Sequence, residues 1–514
     1  AQMLESGDFV TIRFQENERN KKPVGIHWLQ AASVAAFSSV EAREIWAYRL
    51  PSIVGAVLAV IFTFVAGRAL FSVQVAFLGA LIMACAPGLA GEATIAKTDA
   101  VLLAAITAAQ ACLALLYGAI RKMGPIKSFW AYGFWIAFGL GVLIKGPIAP
   151  LVSGLTIVFL CIRDRSAALI FALKPIRGLA IVTVIVAPWA VMIGVATEGR
   201  FFIEAVGDDM AGKIGDAQER HGGPPGYHLA LVWLLLWPTA ALLGPGLVKA
   251  FRGLNDWRLF FLIAWAAPSW LVFELTATKL PHYTLPLFPA LALLSAHAAI
   301  ETADWRNLFH RAGVTIYAGI GVAAAIAVVA AAAVYGDRTL AFWSAATALI
   351  LTAMTTIAAA LFWRGESIAG ALAACAASAF LAFTLLEGVL PNLDRLALSP
   401  RLAAAIENET RNTQSQFQTA SDIALAGYYE PSAIFLLGGD VMTTDGAGAA
   451  RHLIDNENAI SVVEARFGQD FLKATRDMDG ALIAVATIDG VNYSNGRQTT
   501  LTVYRNASSK RDHQ

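Results

Sequence analysis

The 514-residue chain is 57% hydrophobic and only 15% charged, with a net charge of +1. A soluble domain carries roughly 45–50% apolar and about 25% charged residues, so an ordinary soluble protein is excluded. The near-zero balance, without a basic run, also argues against a nucleic-acid partner.

Residues 1–48 are polar to amphipathic and begin at Ala1, with no signal peptide pattern. The opening AQMLESGDFVT reads as the middle of a longer chain, so a further N-terminal segment is expected. PVGIHWLQAASVAAF is too short to span and is marked by His27 and Gln30, which suits a helix lying in the membrane interface. Apolar blocks then follow near 50–71, 74–90, 99–119, 128–144, 147–163, 178–196, 227–247, 258–275, 284–300, 313–335, 340–363 and 367–389. Each is close to the roughly 20 residues that cross about 30 Å of hydrocarbon, so about twelve spanning helices are predicted over residues 49–390. Cys85, Cys112, Cys161 and Cys375 all fall inside these blocks and read as small core residues, not a disulfide framework.

Lysine and arginine in the loops set the orientation. One set of loops holds fourteen: Arg68, Arg121, Lys122, Lys127, Arg163, Arg165, Lys174, Arg177, Lys249, Arg252, Arg258, Arg306, Arg311 and Arg364. The other holds seven: Lys97, Lys145, Arg200, Lys213, Arg220, Lys279 and Arg338. The richer set is assigned to the cytoplasm, which puts residues 1–48 and 391–514 outside. In 391–514 the polar residues return. ASDIALAGYY, AIFLLG, AISVVEA, GALIAVATI and TTLTVYR read as strands, GAGAARHLID and FGQDFLKATRDM as helices. That alternation predicts a small soluble α/β domain.

Four outward stretches carry candidate chemistry. Lys21 and Lys22 before Pro23 suit a phosphate at headgroup depth, or an anchor that snorkels to the interface. In EATIAKTDA, Glu92, Lys97 and Asp99 sit at the mouth of a span, where Asp99 is equally an N-cap or an acidic member of a site. The loop RFFIEAVGDDMAGKIGDAQERHGGPPGYH offers Asp208, Asp209 and His221 as ligands for a divalent metal, and Lys213 and Arg220 for a phosphate; it also reads as a solvated loop. TATKLPHYTLPLFP places Lys279, His282 and Tyr283 between two spans, where cation, imidazole and phenol are costly to bury without use. His297, inside an apolar span, reads as a packing residue.

MLESGDFVT, NKKPVGIHWLQA, AKTDA and TKLPHYTLPLFPALALL, in that order, resemble the bacterial branch of the protein O-mannosyltransferase superfamily, and within it the aminoarabinose transferases and related lipid A or core glycosyltransferases. The resemblance implies a GT-C type glycosyltransferase fold of thirteen helices followed by a soluble domain. With twelve spans read here, the family's first helix and its catalytic aspartate are expected upstream of Met3, leaving Asp99 as the acidic site residue within the chain. The resemblance places Lys22 and Tyr283 beside the phosphate of a polyprenyl-linked donor, with Lys213 where relatives have a phosphate-contacting Arg. Lys21 stands where relatives have a metal-binding Glu, and Asp208 where they have the partner His, so metal binding is left open. The implied activity is sugar transfer from a polyprenyl-phosphate donor to an envelope acceptor such as lipid A or core glycan, at the periplasmic face of the bacterial inner membrane. No nucleotide is implied, and no Gly-rich phosphate loop is present. The alternatives are a polytopic lipid or solute transporter and a non-catalytic homologue that binds lipid-linked sugar.

Overall fold

Uninterrupted runs of Ala, Leu, Ile, Val and Phe have only one spanning solution that pairs every backbone amide within the segment, the α-helix. The computed structural model describes residues 1–205, 207, 222–301, 308–412, 420–456 and 458–507. Among these, nine helices are long and apolar enough to cross a membrane, the first Ile45–Leu70 and the last Ser367–Asn392. The chain is therefore a multi-pass membrane protein.

All twelve predicted segments are helical, but three are not straight spans. Val73–Ala84 and Pro87–Ala93 meet at 57°, and Tyr227–Leu235 and Trp237–Arg252 at 93°. Both breaks precede a proline, Pro87 or Pro238, which opens the next helix where its missing N–H costs nothing. Ile148–Asp164 has 17 residues and barely reaches across hydrocarbon. Two helices are enclosed by the others: 83% of the apolar window in Asp99–Arg121 and 89% in Pro281–Glu301 is buried. Both begin with residues singled out above.

Ahead of the spans, Asp8 accepts from the Val10 and Thr11 amides at 2.9 and 3.0 Å, and a two-stranded hairpin pairs Arg13–Phe14 with Asn17–Glu18. The short helix is Gly25–Phe37, with Ile26, Ala31 and Val34 buried and Leu29 and Phe37 exposed. A Cβ on Gly25 would lie 2.7 Å from the Leu143 carbonyl oxygen, so only glycine lets this helix rest on the end of Ser128–Lys145.

The C-terminal region carries a five-stranded sheet in the order Met442–Thr444, Ile423–Ala426, Ile460–Glu464, Arg497–Asn506, Leu482–Asn492. The first three strands are parallel and the last two join antiparallel, with Leu425 opposite Val462 and Val462 opposite Val503. Alternation splits the core: Ile423 and Leu425 pack with Leu398 and Leu402 on one face, and Ala424 and Ala426 with Leu453 and Phe471 on the other. One expectation is corrected. AIFLLG is not a strand but most of the helix Pro431–Leu437, because Pro431 occupies its first turn and Gly438, at φ 124°, ends it. The short strand Met442–Thr444, which the sequence reading did not include, takes the edge position.

The sheet and the first segment are joined. Arg43 donates to the Leu436 carbonyl at 2.8 Å, Gln15 donates to the Val441 carbonyl at 2.8 Å, and the Tyr48 and Phe435 rings meet edge to face. Ser52, in the same helix as Tyr48, donates to the Lys97 carbonyl at 3.2 Å. The sheet therefore lies at the end of the helix bundle where Asp99 sits.

Candidate functional site

Asp99 is the first residue of its helix, not the cap; Thr98 holds the cap position and no side chain caps the helix. The carboxylate, 5% exposed, instead accepts from the Lys145 ammonium at 2.5 Å. Lys145 closes the helix Ser128–Lys145, and the chain leaves it through Gly146 at φ 61°. The 3-10 segment Pro281–Leu287 brings His282 to the other side, its Nε2 3.8 Å from Asp99 and its Nδ1 3.6 Å from Glu92. The Lys145 ammonium also lies 5.7 Å from the Tyr283 ring centre, within reach of a cation–π attraction. Two acids, an imidazole and an ammonium thus stand in one row: Glu92, His282, Asp99, Lys145.

This row borders a cavity of about 410 Å³. Lys21, Lys22, Asp99, Lys145, His282 and Tyr283 form its polar part. Leu102, Ile148, Leu151, Phe201, Val272 and Phe273 form its apolar wall. An anionic head with a hydrocarbon tail matches both halves at once. Lys21 and Lys22 are exposed on their segment, in contact distance of solvent as well as cavity. Nearby His27, behind Lys22, is held at about 4, well below the usual imidazole value, by burial and by the positive charges of Arg19, the N-terminus and Lys22.

Of the residues singled out from sequence, Lys21, Lys22, Asp99, His282 and Tyr283 are thus brought to one cavity. Lys279 is not: it is buried, its ammonium donates to the Gly223 carbonyl at 3.0 Å, and it is absent from the cavity wall. Asp208, Asp209, Lys213, Arg220 and His221 lie outside the described residues. Among the described residues no three His, Cys, Asp or Glu side chains are grouped to hold a metal ion. His297 packs its ring against Phe71 and approaches Glu301 at 3.3 Å, away from this row. Lys145 was visible in the sequence only as one outward cation among seven. Its signal was the Lys-Gly-Pro that ends an apolar helix, which repeats the Lys-Pro pairing at Lys22 and Pro23 with one glycine between.

Residues 21–192 match the family model described as dolichyl-phosphate-mannose-protein mannosyltransferase. The chain is similar to the undecaprenyl phosphate-alpha-4-amino-4-deoxy-L-arabinose arabinosyl transferases of Yersinia enterocolitica, 25% identical over 59% of this chain and 54% of that one, and of Edwardsiella ictaluri, 25% identical over 57% and 52%. In these matches the chain spans about half the length of the curated relatives. The similarity to the Erwinia tasmaniensis transferase of the same name is longer, 26% identity over 83% of this chain and 76% of that one. In structure, the chain resembles ArnT from Cupriavidus metallidurans crystallised with undecaprenyl phosphate, with a TM-score of 0.74 at 19% identity, covering 98% of this chain and 91% of that one. The same protein in the apo state gives a TM-score of 0.73 at 20% identity. The fold is therefore the GT-C type read from the sequence, aminoarabinose transferase-like, with a small sheet domain at its C-terminal end.

Proposed function

We propose that the protein is a glycosyltransferase of the bacterial inner membrane that moves a sugar from a polyprenyl-phosphate donor to an envelope acceptor such as lipid A or core glycan. The observation that carries this reading is the two-sided cavity, with Lys21, Lys22 and Lys145 at its polar part and an apolar wall beside them. The similarity to transferases named for undecaprenyl phosphate-linked aminoarabinose supports it. The cavity and the sheet domain share one end of the bundle, which this reading assigns to the periplasm, in line with the Lys and Arg bias of the loops.

In this reaction the bond between the sugar's anomeric carbon and the phosphate oxygen breaks as an acceptor hydroxyl attacks. The electron pair leaves with the polyprenyl phosphate, and the hydroxyl's proton passes to that phosphate or to water, the monoester's second pKa lying at about 6. Lys21 and Lys22 meet the charge that grows on that leaving group, the preorganised stabilisation that counts most in transfer reactions. Tyr283 lines the same wall and positions the phosphate against them. Asp99 acts through Lys145: its carboxylate already holds the ammonium at 2.5 Å, and its task is to fix that cation and His282. The apolar wall takes the first isoprene units, whose remainder runs in the bilayer.

Lys22→Ala tests the reading. In membranes supplied with polyprenyl-phosphate sugar and acceptor, transfer should fall by at least about a hundredfold, the scale of losing one preorganised charge contact, while the protein inserts at the wild-type level. Wild-type transfer by this variant would overturn the assignment of the cavity.

A further inference from the structure

His228 is the second residue of the helix Tyr227–Leu235 and is 1% exposed. Its Nδ1 lies 2.9 Å from Glu274 Oε2, and the same oxygen accepts the His228 backbone N–H at 3.3 Å. Its Nε2 lies 3.2 Å from the Leu280 carbonyl oxygen. Both ring nitrogens therefore face oxygens. A carbonyl never donates, so the geometry requires a proton on Nε2, which donates to Leu280. Nδ1 then meets Glu274, as donor to a carboxylate or as acceptor from the carboxylic acid.

The segment so held is the one that leads into the cavity. Thr278 pairs with Gly222 in an isolated bridge, and Lys279 donates to the Gly223 carbonyl at 3.0 Å. The Leu280 carbonyl is the third tie, and the 3-10 turn carrying His282 and Tyr283 starts at the next residue. The Tyr283 ring lies parallel to that of His228, with centroids 6.5 Å apart.

We propose that His228 is a positioning residue for glycosyl transfer: bridging Glu274 and the Leu280 carbonyl through its two ring nitrogens, it fixes the turn that delivers His282 and Tyr283 to the donor cavity. This rests on the function proposed above and adds to it a second layer of control. Among the described residues, the titratable groups in contact with the ring are Glu274 from the helix Trp257–Leu275, Tyr283 from the 3-10 turn and Tyr227, 5.2 Å away on its own helix. Glu92, on the neighbouring helix Pro87–Ala93, is turned to His282.

The test uses the full chain in lipid nanodiscs with its histidine rings labelled with ¹⁵N. The His228 resonance, identified by its loss in His228→Gln, should show a proton on Nε2, the nitrogen that meets the Leu280 carbonyl. In Glu274→Gln, which keeps the shape and removes the acid, the Nδ1 resonance should move while Nε2 keeps its proton. Both variants should lower kcat for transfer by about tenfold or more, and the double variant little further, as expected of groups acting as one unit. A bare Nε2 in the wild-type protein overturns the proposal. So does wild-type transfer by His228→Gln while Lys22→Ala is inactive, an outcome that leaves the transferase reading standing. Wild-type transfer by Lys22→Ala overturns that reading instead, and the positioning role built on it.

Discussion

Lys145 and Asp99 carry opposite charges where neither is well hydrated, at 15% and 5% side-chain exposure. Removing one member of such a pair leaves the other buried and unbalanced, which typically costs about 3–5 kcal/mol. Lys145→Ala should therefore lower the thermal midpoint in detergent clearly, and Asp99→Asn less, because the Lys145 ammonium is the more exposed of the two. Equal midpoints for both variants and the wild type would show the pair to be idle. At this scale the sequence was legible where a residue's chemistry and its place agreed. Lys22 beside a proline and the Lys-Leu-Pro-His-Tyr run stood out because each sets a cation against a proline, the second with imidazole and phenol beside it. Lys145 did not, since a lysine ending an apolar helix is an ordinary sight, and only its distance to Asp99 sets it apart. Asp99 itself satisfied two descriptions in the sequence, cap and site residue; Thr98 at the cap position removes the first.

Helices and strands were legible to the extent that local pattern determines them. Long apolar runs have one solution in a bilayer, so each predicted span is a helix. The bends at Pro87 and Pro238 depend on which side of a proline the chain finds packing, and the spacing of apolar residues is silent on that. AIFLLG failed as a strand for a related reason: a six-residue apolar run has no period long enough to separate helix from strand. Pro431 was the available sign. The close approach of Gly25 to the Leu143 carbonyl lay beyond any local pattern, since it joins residues more than a hundred positions apart. It leads to a prediction about an element, not a contact. In Gly25→Leu the helix Gly25–Phe37 must lift from the end of Ser128–Lys145, at a cost of about 1–3 kcal/mol for overpacking. Lys21 and Lys22, just ahead of that helix, should move with it, so donor affinity should fall more than the loss of stability alone explains. Titration of donor binding in the variant, beside its thermal midpoint, separates the two effects; unchanged affinity would mean that the lysines are placed by something else.

Across the whole molecule, the first segment is held at both sides. Gln15 and Arg43 tie it to the sheet domain, and the lysines a few residues on line the cavity. Composition foretold a membrane part and a soluble part, but not this clasp, which is made of hydrogen bonds to backbone carbonyls that any residue supplies. The cluster of Lys21, Lys22 and Lys145 around one cavity has a kinetic consequence. A polyprenyl-phosphate sugar is a phosphodiester with one negative charge; the lipid phosphate left after transfer is a monoester, which carries about −1.5 to −2 at neutral pH as phosphorylated side chains do. In the reaction proposed above, cations so arranged would hold the spent lipid more tightly than the fresh one. Turnover should be throttled by departure of the carrier, with free polyprenyl phosphate a competitive inhibitor whose Ki lies below the donor's KM, and with this gap narrowing in Lys21→Ala. The enzyme would then run at the pace at which other reactions in the membrane clear its used carrier, and its output would follow the supply of empty lipid as much as that of sugar.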